Sequence, residues 1–222
     1  ITLLTRTNGR VRAVAKGVRR SRSRFGARLE PFGHVDLQLY EGRSLDTVTQ
    51  VETFRAYGAE LVGDYRRWTA GTAMLEAAER LTPVDRQPAG QQYLLLVGGL
   101  RALADNTHDP RMVLDAYLLR SMAVSGWTPS FSDCARCGAR GPHRSFHLAS
   151  GGAMCASCRP AGSATPRPEA LVLLGALLSG EWELVDDADQ RVQREGSSLV
   201  AAFVQWHLER QLRSLPLVEA AP

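Results

Sequence analysis

Polar and apolar positions alternate over the first fifty residues and then change to a helical period. Residues 1–7, ITLLTRT, read as a strand, and Asn8-Gly9 as a type I′ hairpin turn. Residues 10–16, RVRAVAK, form the second strand. They put Arg10, Arg12 and Lys16 on one face and Val11, Ala13 and Ala15 on the other, and Val14 interrupts the basic face. HVDLQLY (34–40) is a third strand, Glu41-Gly42-Arg43 a turn, and LDTVTQV (45–51) a fourth strand. Four short antiparallel strands predict a small barrel or curled sheet. An oligonucleotide-binding barrel has five, so one would lie before Ile1.

After Val51 the period lengthens. Phe54, Tyr57, Leu61, Val62 and Tyr65 recur at helical spacing and predict a helix over 52–68. A second helix follows over 71–81, stopped by Pro83, and residues 84–90 read as a polar linker. Residues 91–106 are a mostly apolar helix in which Gly98-Gly99 permit close packing. Asp109-Pro110 opens another, with Leu114, Tyr117, Leu118 and Met122 as its apolar positions. RPAGSATPRP (159–168) is a connector. Pro168 starts a helix over 169–178, residues 181–189 form an acidic turn, and Ser197 caps a last helix over 199–212. The fold class is α+β: a barrel over 1–52 and a helical part over 53–132 and 161–222, with a module at 133–160 inserted between its halves.

That module holds all four cysteines, as two CxxC pairs, Cys134/Cys137 and Cys155/Cys158, separated by 17 residues. Each pair offers two sulfurs from a tight knuckle, and Gly138 suits the turn after the first. The spacing predicts one structural Zn²⁺ in a closed four-thiolate site. Disulfides, an iron–sulfur cluster and a redox CxxC are the rival uses of the same residues. His143 and His147 lie between the pairs as candidate substitutes for a thiolate, and are more simply surface histidines. Paired cysteines at this spacing favour a reducing compartment, the cytoplasm.

Charge changes the picture at the front of the chain. The net charge is +4, yet residues 1–30 carry nine Arg or Lys against one Glu, which leaves the rest net acidic. Such a front end predicts a polyanionic partner, most often nucleic acid. Arg10, Arg12 and Lys16 on the strand, with Arg19, Arg20, Arg22 and Arg24 in the glycine-flanked loop after it, are the candidate phosphate contacts. Phe25 is placed to stack on a base or, more simply, to anchor the loop. No GxxxxGK[ST], HExxH or GxSxG motif is present, so the sequence offers no catalytic constellation. The acidic run Asp186, Asp187 and Asp189 reads as a solvated turn. No apolar run is long enough to span a bilayer, and no signal peptide is visible.

With these features in hand, the chain resembles the RecO family of bacterial recombination mediators. The likeness is carried by the block from ITLLTRTNGRVRAVAKGVRRSRSRFGARLEPFG through HVDLQLYEGRSLDTVTQVE, and by YLLRSMAVSGWTPSFSDCARCG. It implies an N-terminal oligonucleotide-binding barrel, a helical domain and a four-cysteine zinc finger. It also implies a non-enzymatic role in RecF-pathway repair. Such a protein binds single- and double-stranded DNA and anneals strands. It works with the RecR ring and single-strand-binding protein to load RecA, which would place it in the cytoplasm with the nucleoid. The alternatives are an adaptor whose basic loop meets an acidic protein segment, and a zinc-dependent hydrolase, which would need an open metal position.

Overall fold

A computed structural model describes residues 1–18, 23 and 25–220. The alternating front end forms a four-stranded sheet from β1 (Thr2–Thr5), β2 (Gly9–Val14), β3 (Gly33–Tyr40) and β4 (Asp46–Ala56), in the order β1-β2-β4-β3. β1/β2 and β3/β4 are antiparallel, but β2 meets β4 in parallel through Ala13↔Asp46 and Val14↔Thr47. The expectation of uniformly antiparallel strands is thereby corrected. The chain leaves β2, passes through a short 3-10 turn at Gly26–Leu29 and crosses over before β4 runs beside β2. No pairing joins β1 to β3 among the described residues. That side of the curled sheet faces helix across a cleft of about 840 Å³.

The period-two reading of β2 is realised: Val11 and Ala13 are buried, and Arg12 and Val14 exposed. Ala13, Ala15, Val48 and Val51 make a small core beneath the sheet. Phe25 is buried in it, so it anchors the loop. The first turn is not type I′, which needs positive φ at both central residues. Only Gly9 has it, at 58°, and Thr5 Oγ1 donates to Gly9 O at 2.9 Å across the turn. The glycine is required twice over, because a Cβ there would stand 1.7 Å from Gln87 O.

The helical part consists of α1 (Tyr57–Leu61), α2 (Tyr65–Leu81), α3 (Gly90–Asp105), α4 (Pro110–Val124), α5 (Pro168–Ser179), α6 (Trp182–Asp186), α7 (Gln190–Leu208) and α8 (Leu215–Glu219). The single helix expected over 52–68 is replaced by the end of β4, then α1, then the start of α2. Long pairing with β3 holds Thr53 to Ala56 extended, and Asp64 accepts from Arg67 N at 3.0 Å to open α2. α4 is the centre of the body, packed against α2, α3, α5 and α7. Met112, Leu114, Leu118, Leu119 and Met122 are almost fully buried there, each worth about 1.5–3 kcal/mol of apolar transfer. Gly99 lets α3 close on α2, with its Cβ position 3.0 Å from Met74 Sδ.

Two other local expectations are corrected. Residues 182–186 are helical because Val185 is buried in the core and Trp182 stacks on His108 with centroids 4.1 Å apart. α7 begins at Gln190, not after Ser197. Asp189 accepts from Arg191 N at 2.7 Å, while Ser197 lies inside the helix and donates to buried Asp115. Burial pushes the Asp115 carboxyl up to about 6, against the Arg111 charge and the Ser197 hydrogen bond. Among the described residues no helix is long and apolar enough to cross a membrane.

The segment read as a linker is built into the sheet. Arg86 N donates to Arg10 O at 2.8 Å, and the Arg86 guanidinium reaches both oxygens of buried Asp46 at 2.7 Å. A strap of residues between α2 and α3 thus fixes the sheet to the helical body.

Candidate metal centre and basic surface

The cysteine module has little regular structure: β5 (Phe146–His147) pairs with β6 (Gly152–Ala153), and the rest is turn. Its shape comes from two knuckles. Gly138 N donates to Cys134 O at 2.8 Å with Gly138 at φ 71°, and Arg159 N donates to Cys155 O at 3.0 Å. The β5/β6 hairpin brings the knuckles together, with Ala135 N on Ala153 O at 2.8 Å. Phe146 ties the module to the body, stacked on Phe131 at 6.0 Å and edge-on to Phe203 of α7 at 6.4 Å.

The four sulfurs converge. All lie within 4.8 Å of one another, and Cys137 Sγ is 3.8 Å from Cys155 Sγ. No disulfide joins them. A tetrahedron of sulfurs about 2.3 Å from a central Zn²⁺ has edges of about 3.8 Å, so the spacing of the cluster is of the size that a four-thiolate metal ion requires. Backbone N–H groups of Cys155, Cys137 and Arg136 pull the Cys134 thiol down to about 6, while the neighbouring sulfurs push Cys158 up to about 12. His143 and His147 stand aside from the cluster. His143 Nε2 bonds Ala139 O at 2.8 Å, and His147 Nδ1 bonds Ser150 Oγ at 2.8 Å. Asp186 and Asp189 are taken up by His108 and the start of α7. Among the described residues only the cysteines form a potential metal-binding group.

The basic strand is less free than its sequence implies. Arg10 Nε bonds Asp85 Oδ1 at 2.6 Å, and its terminal nitrogens reach Pro83 O at 2.5 Å and Glu79 O at 3.3 Å. Its side chain is only 18% exposed. Arg12 Nε bonds the other Asp85 oxygen at 2.9 Å, but its side chain is 59% exposed. Lys16 is exposed and has no ion pair among the described residues. Hydrogen bonds from Arg10 first, then from Arg12, hold the Asp85 carboxyl below the usual carboxylate range. Arg19, Arg20, Arg22 and Arg24 lie outside the described residues. Asp85 was not a candidate from sequence, because nothing local marks one carboxylate of a polar segment as the partner of a strand far upstream.

Comparison with known proteins covers both parts. Residues 1–57 match the family model Recombination protein O N terminal, and residues 62–216 match Recombination protein O C terminal. The chain is similar to the DNA repair protein RecO of Thermobifida fusca, 61% identical over 221 residues, covering 100% of this chain and 91% of the relative. It is also similar to the proteins of the same name from Streptomyces coelicolor and Nocardioides sp. Each is 60% identical, with 99% of this chain and 91% of the relative covered.

Proposed function

The chain belongs to the RecO family, and from that premise we propose that it is a DNA-repair mediator without catalytic chemistry of its own. It binds single- and double-stranded DNA through phosphate, promotes annealing of complementary strands, and helps load recombinase onto coated single strands. The observation that carries this reading is the match of both family models, joined to Arg12 exposed on β2 and Lys16 exposed in the turn just past its end, where the strand stops at Val14 instead of running to Lys16. Annealing needs two repelling backbones to be neutralised and brought together, with no bond made or broken in the protein's own groups. Cations on a strand and the turn after it supply that, without base reading. In this reading Arg12 and Lys16 bear on phosphate, and Arg19, Arg20, Arg22 and Arg24 extend the surface along the following loop. Arg10 adds to the field while its guanidinium stays with its protein acceptors.

The sheet is read as part of an oligonucleotide-binding barrel. The sulfur cluster is read as the site of one structural Zn²⁺ held by Cys134, Cys137, Cys155 and Cys158. The ion would be a folding staple, since four thiolates leave no position for substrate or water. That closed set also argues against a zinc hydrolase. The RecR ring and single-strand-binding protein are the proposed partners, RecA the downstream recombinase, and the nucleoid the place of action. Exposed Leu94 on α3 and Val172 on α5 give the helical body apolar points for protein contact.

A second reading, an adaptor for acidic protein segments, is favoured by one observation: Arg10 and Arg12 already grip a carboxylate, Asp85. The deciding experiment is salt-dependent binding of the purified chain to unrelated single strands and annealing of complementary ones, with and without the RecR ring. Binding that weakens steeply with salt, and annealing that tracks it, support the mediator. Tight binding to an acidic peptide with none to DNA would favour the adaptor.

A further inference from the structure

The cysteine module carries a second set of arginines. Residues 133–160 hold Arg136, Arg140, Arg144 and Arg159 against a single acid, Asp133. All four arginines are exposed. None has an ion pair or a side-chain hydrogen bond among the described residues, in contrast with Arg10 and Arg12. Each sits on backbone fixed by the sulfur cluster or by the hairpin beside it. Arg136 lies inside the first knuckle and Arg159 follows the second. Arg140 bridges back to Asp133 through the backbone. Arg144 precedes Ser145, whose carbonyl accepts from Met154 N at 2.8 Å.

We propose that the exposed, unpartnered arginines of the cysteine module make it a second phosphate-binding surface, in addition to the β2 strand, and that its ligand is a single strand of DNA. The proposal rests on the DNA-binding reading above and adds to it that one chain holds two strands at once. Its residue chemistry selects the ligand class. Arginine forks onto phosphate oxygens, and no lysine is present in the module. Around the arginines the exposed positions are small: Gly138, Ala139, Gly141, Ala149, Ser150 and Ala156. A sugar-phosphate chain can therefore approach closely. No large apolar side chain is exposed between residues 133 and 160. A membrane surface would call for apolar insertion and a protein partner for an apolar anchor, whereas a phosphodiester backbone requires neither. With the β2 face taking one strand and the module another, like charges on both strands are screened on the same protein and complementary bases can meet.

The test uses the full chain with zinc bound. The parent, R140E/R144E, the neutral pair R140Q/R144Q and R12E/K16E are titrated with salt on a labelled single strand, and annealing of complementary strands is followed. Two lost contacts should lower the slope of log affinity against log salt by about 1.4. The affinity lost between 50 and 200 mM salt then shrinks about sevenfold. R140E/R144E and R140Q/R144Q should both show this with zinc content unchanged, and their annealing should fall further than their binding. If the reversal disturbs zinc content, the neutral pair decides. Unchanged slope and annealing in a zinc-replete neutral pair, while the parent and R12E/K16E differ, would overturn the second surface and leave the DNA-binding reading intact. A parent that binds no DNA would overturn both. Equal affinity for anionic vesicles or polyglutamate would overturn the assignment of DNA as the ligand.

Discussion

The β1/β2 hairpin and the cysteine module both display arginine from short frameworks, and they are built in opposite ways. The hairpin is held by a backbone ladder, a small apolar face and the strap of residues 83–86. The module has only two strands of two residues each. Its order comes from four converging sulfurs and one aromatic anchor, Phe146. Their charges differ as well. Arg10 and Arg12 share Asp85, 75 and 73 residues away in sequence, while the module's arginines have no partner among the described residues. A run of basic residues is thus a poor measure of available positive charge; what counts is whether the fold delivers a carboxylate to it.

The largest effect that would sharpen this contrast is removal of the sulfur framework. Cys137→Ser takes one of the four proposed ligands from a site where a bound zinc would contribute about 10–16 kcal/mol, as it does in modules of this kind. Zinc content should fall well below one per chain, and residues 133–160 should become the first site of proteolysis, with β2 still protected. Full protection of that segment in a metal-free variant would show that Phe146 and the hairpin order the module unaided. The matching break on the other side is Gly9→Ala. It places a Cβ 1.7 Å from Gln87 O at a residue with φ 58°. Strain at a left-handed residue plus the clash should cost about 1–3 kcal/mol in chemical unfolding, with zinc content unchanged.

How far the sequence revealed these two regions follows from the range of the interactions involved. Period-two alternation gave β2 and its buried face, because each residue's side is set by its immediate neighbours. The cysteine spacing pointed to the cluster for the same reason. What it did not show was contact over distance. The parallel step from β2 to β4, the extension of β4 to Ala56 under pairing with β3, and Asp85 on Arg10 all depend on residues far apart in the chain. Ser197 shows the same limit. Its position suggested a helix cap, but Asp115, 82 residues upstream, claims its hydroxyl inside α7. The unpaired arginines of the module were countable from the sequence; their freedom from partners was not.

A smaller, functional effect separates charge from framework. R12E/K16E reverses two exposed side chains and touches neither the ladder nor the cluster. The salt slope for single-stranded DNA should fall by about 1.4, with similar losses on unrelated sequences and no shift in unfolding beyond the little that the exposed Arg12–Asp85 pair contributes. Loss of folding before any change in slope would mean that Arg12 matters through Asp85 alone.

The smallest effect is expected from Asp85→Asn, and it bears most directly on the difference between the two regions. The substitution removes the negative charge that Arg10 and Arg12 share while keeping an oxygen that can still accept from one of them. The hairpin then resembles the cysteine module, with its guanidinium groups less committed. If the hairpin's arginines bear on phosphate, DNA affinity should rise modestly and the salt slope should steepen, the opposite of R12E/K16E. Stability should shift the other way. Because the arginines hold the Asp85 carboxyl below its unfolded value, its contribution is fully present above the unfolded carboxylate range. It is lost as pH falls through the folded value. The variant should therefore be slightly less stable than the parent at neutral pH, and the two should converge in acid. Being exposed, the pair contributes little, and salt should shrink the difference further. The measurement is a pair of titrations, unfolding against pH and DNA binding against salt, on parent and variant. An Asn variant with lower DNA affinity and a parallel pH profile would mean that Asp85 positions the strand instead of neutralising it, and the contrast drawn between hairpin and module would fail at its first residue.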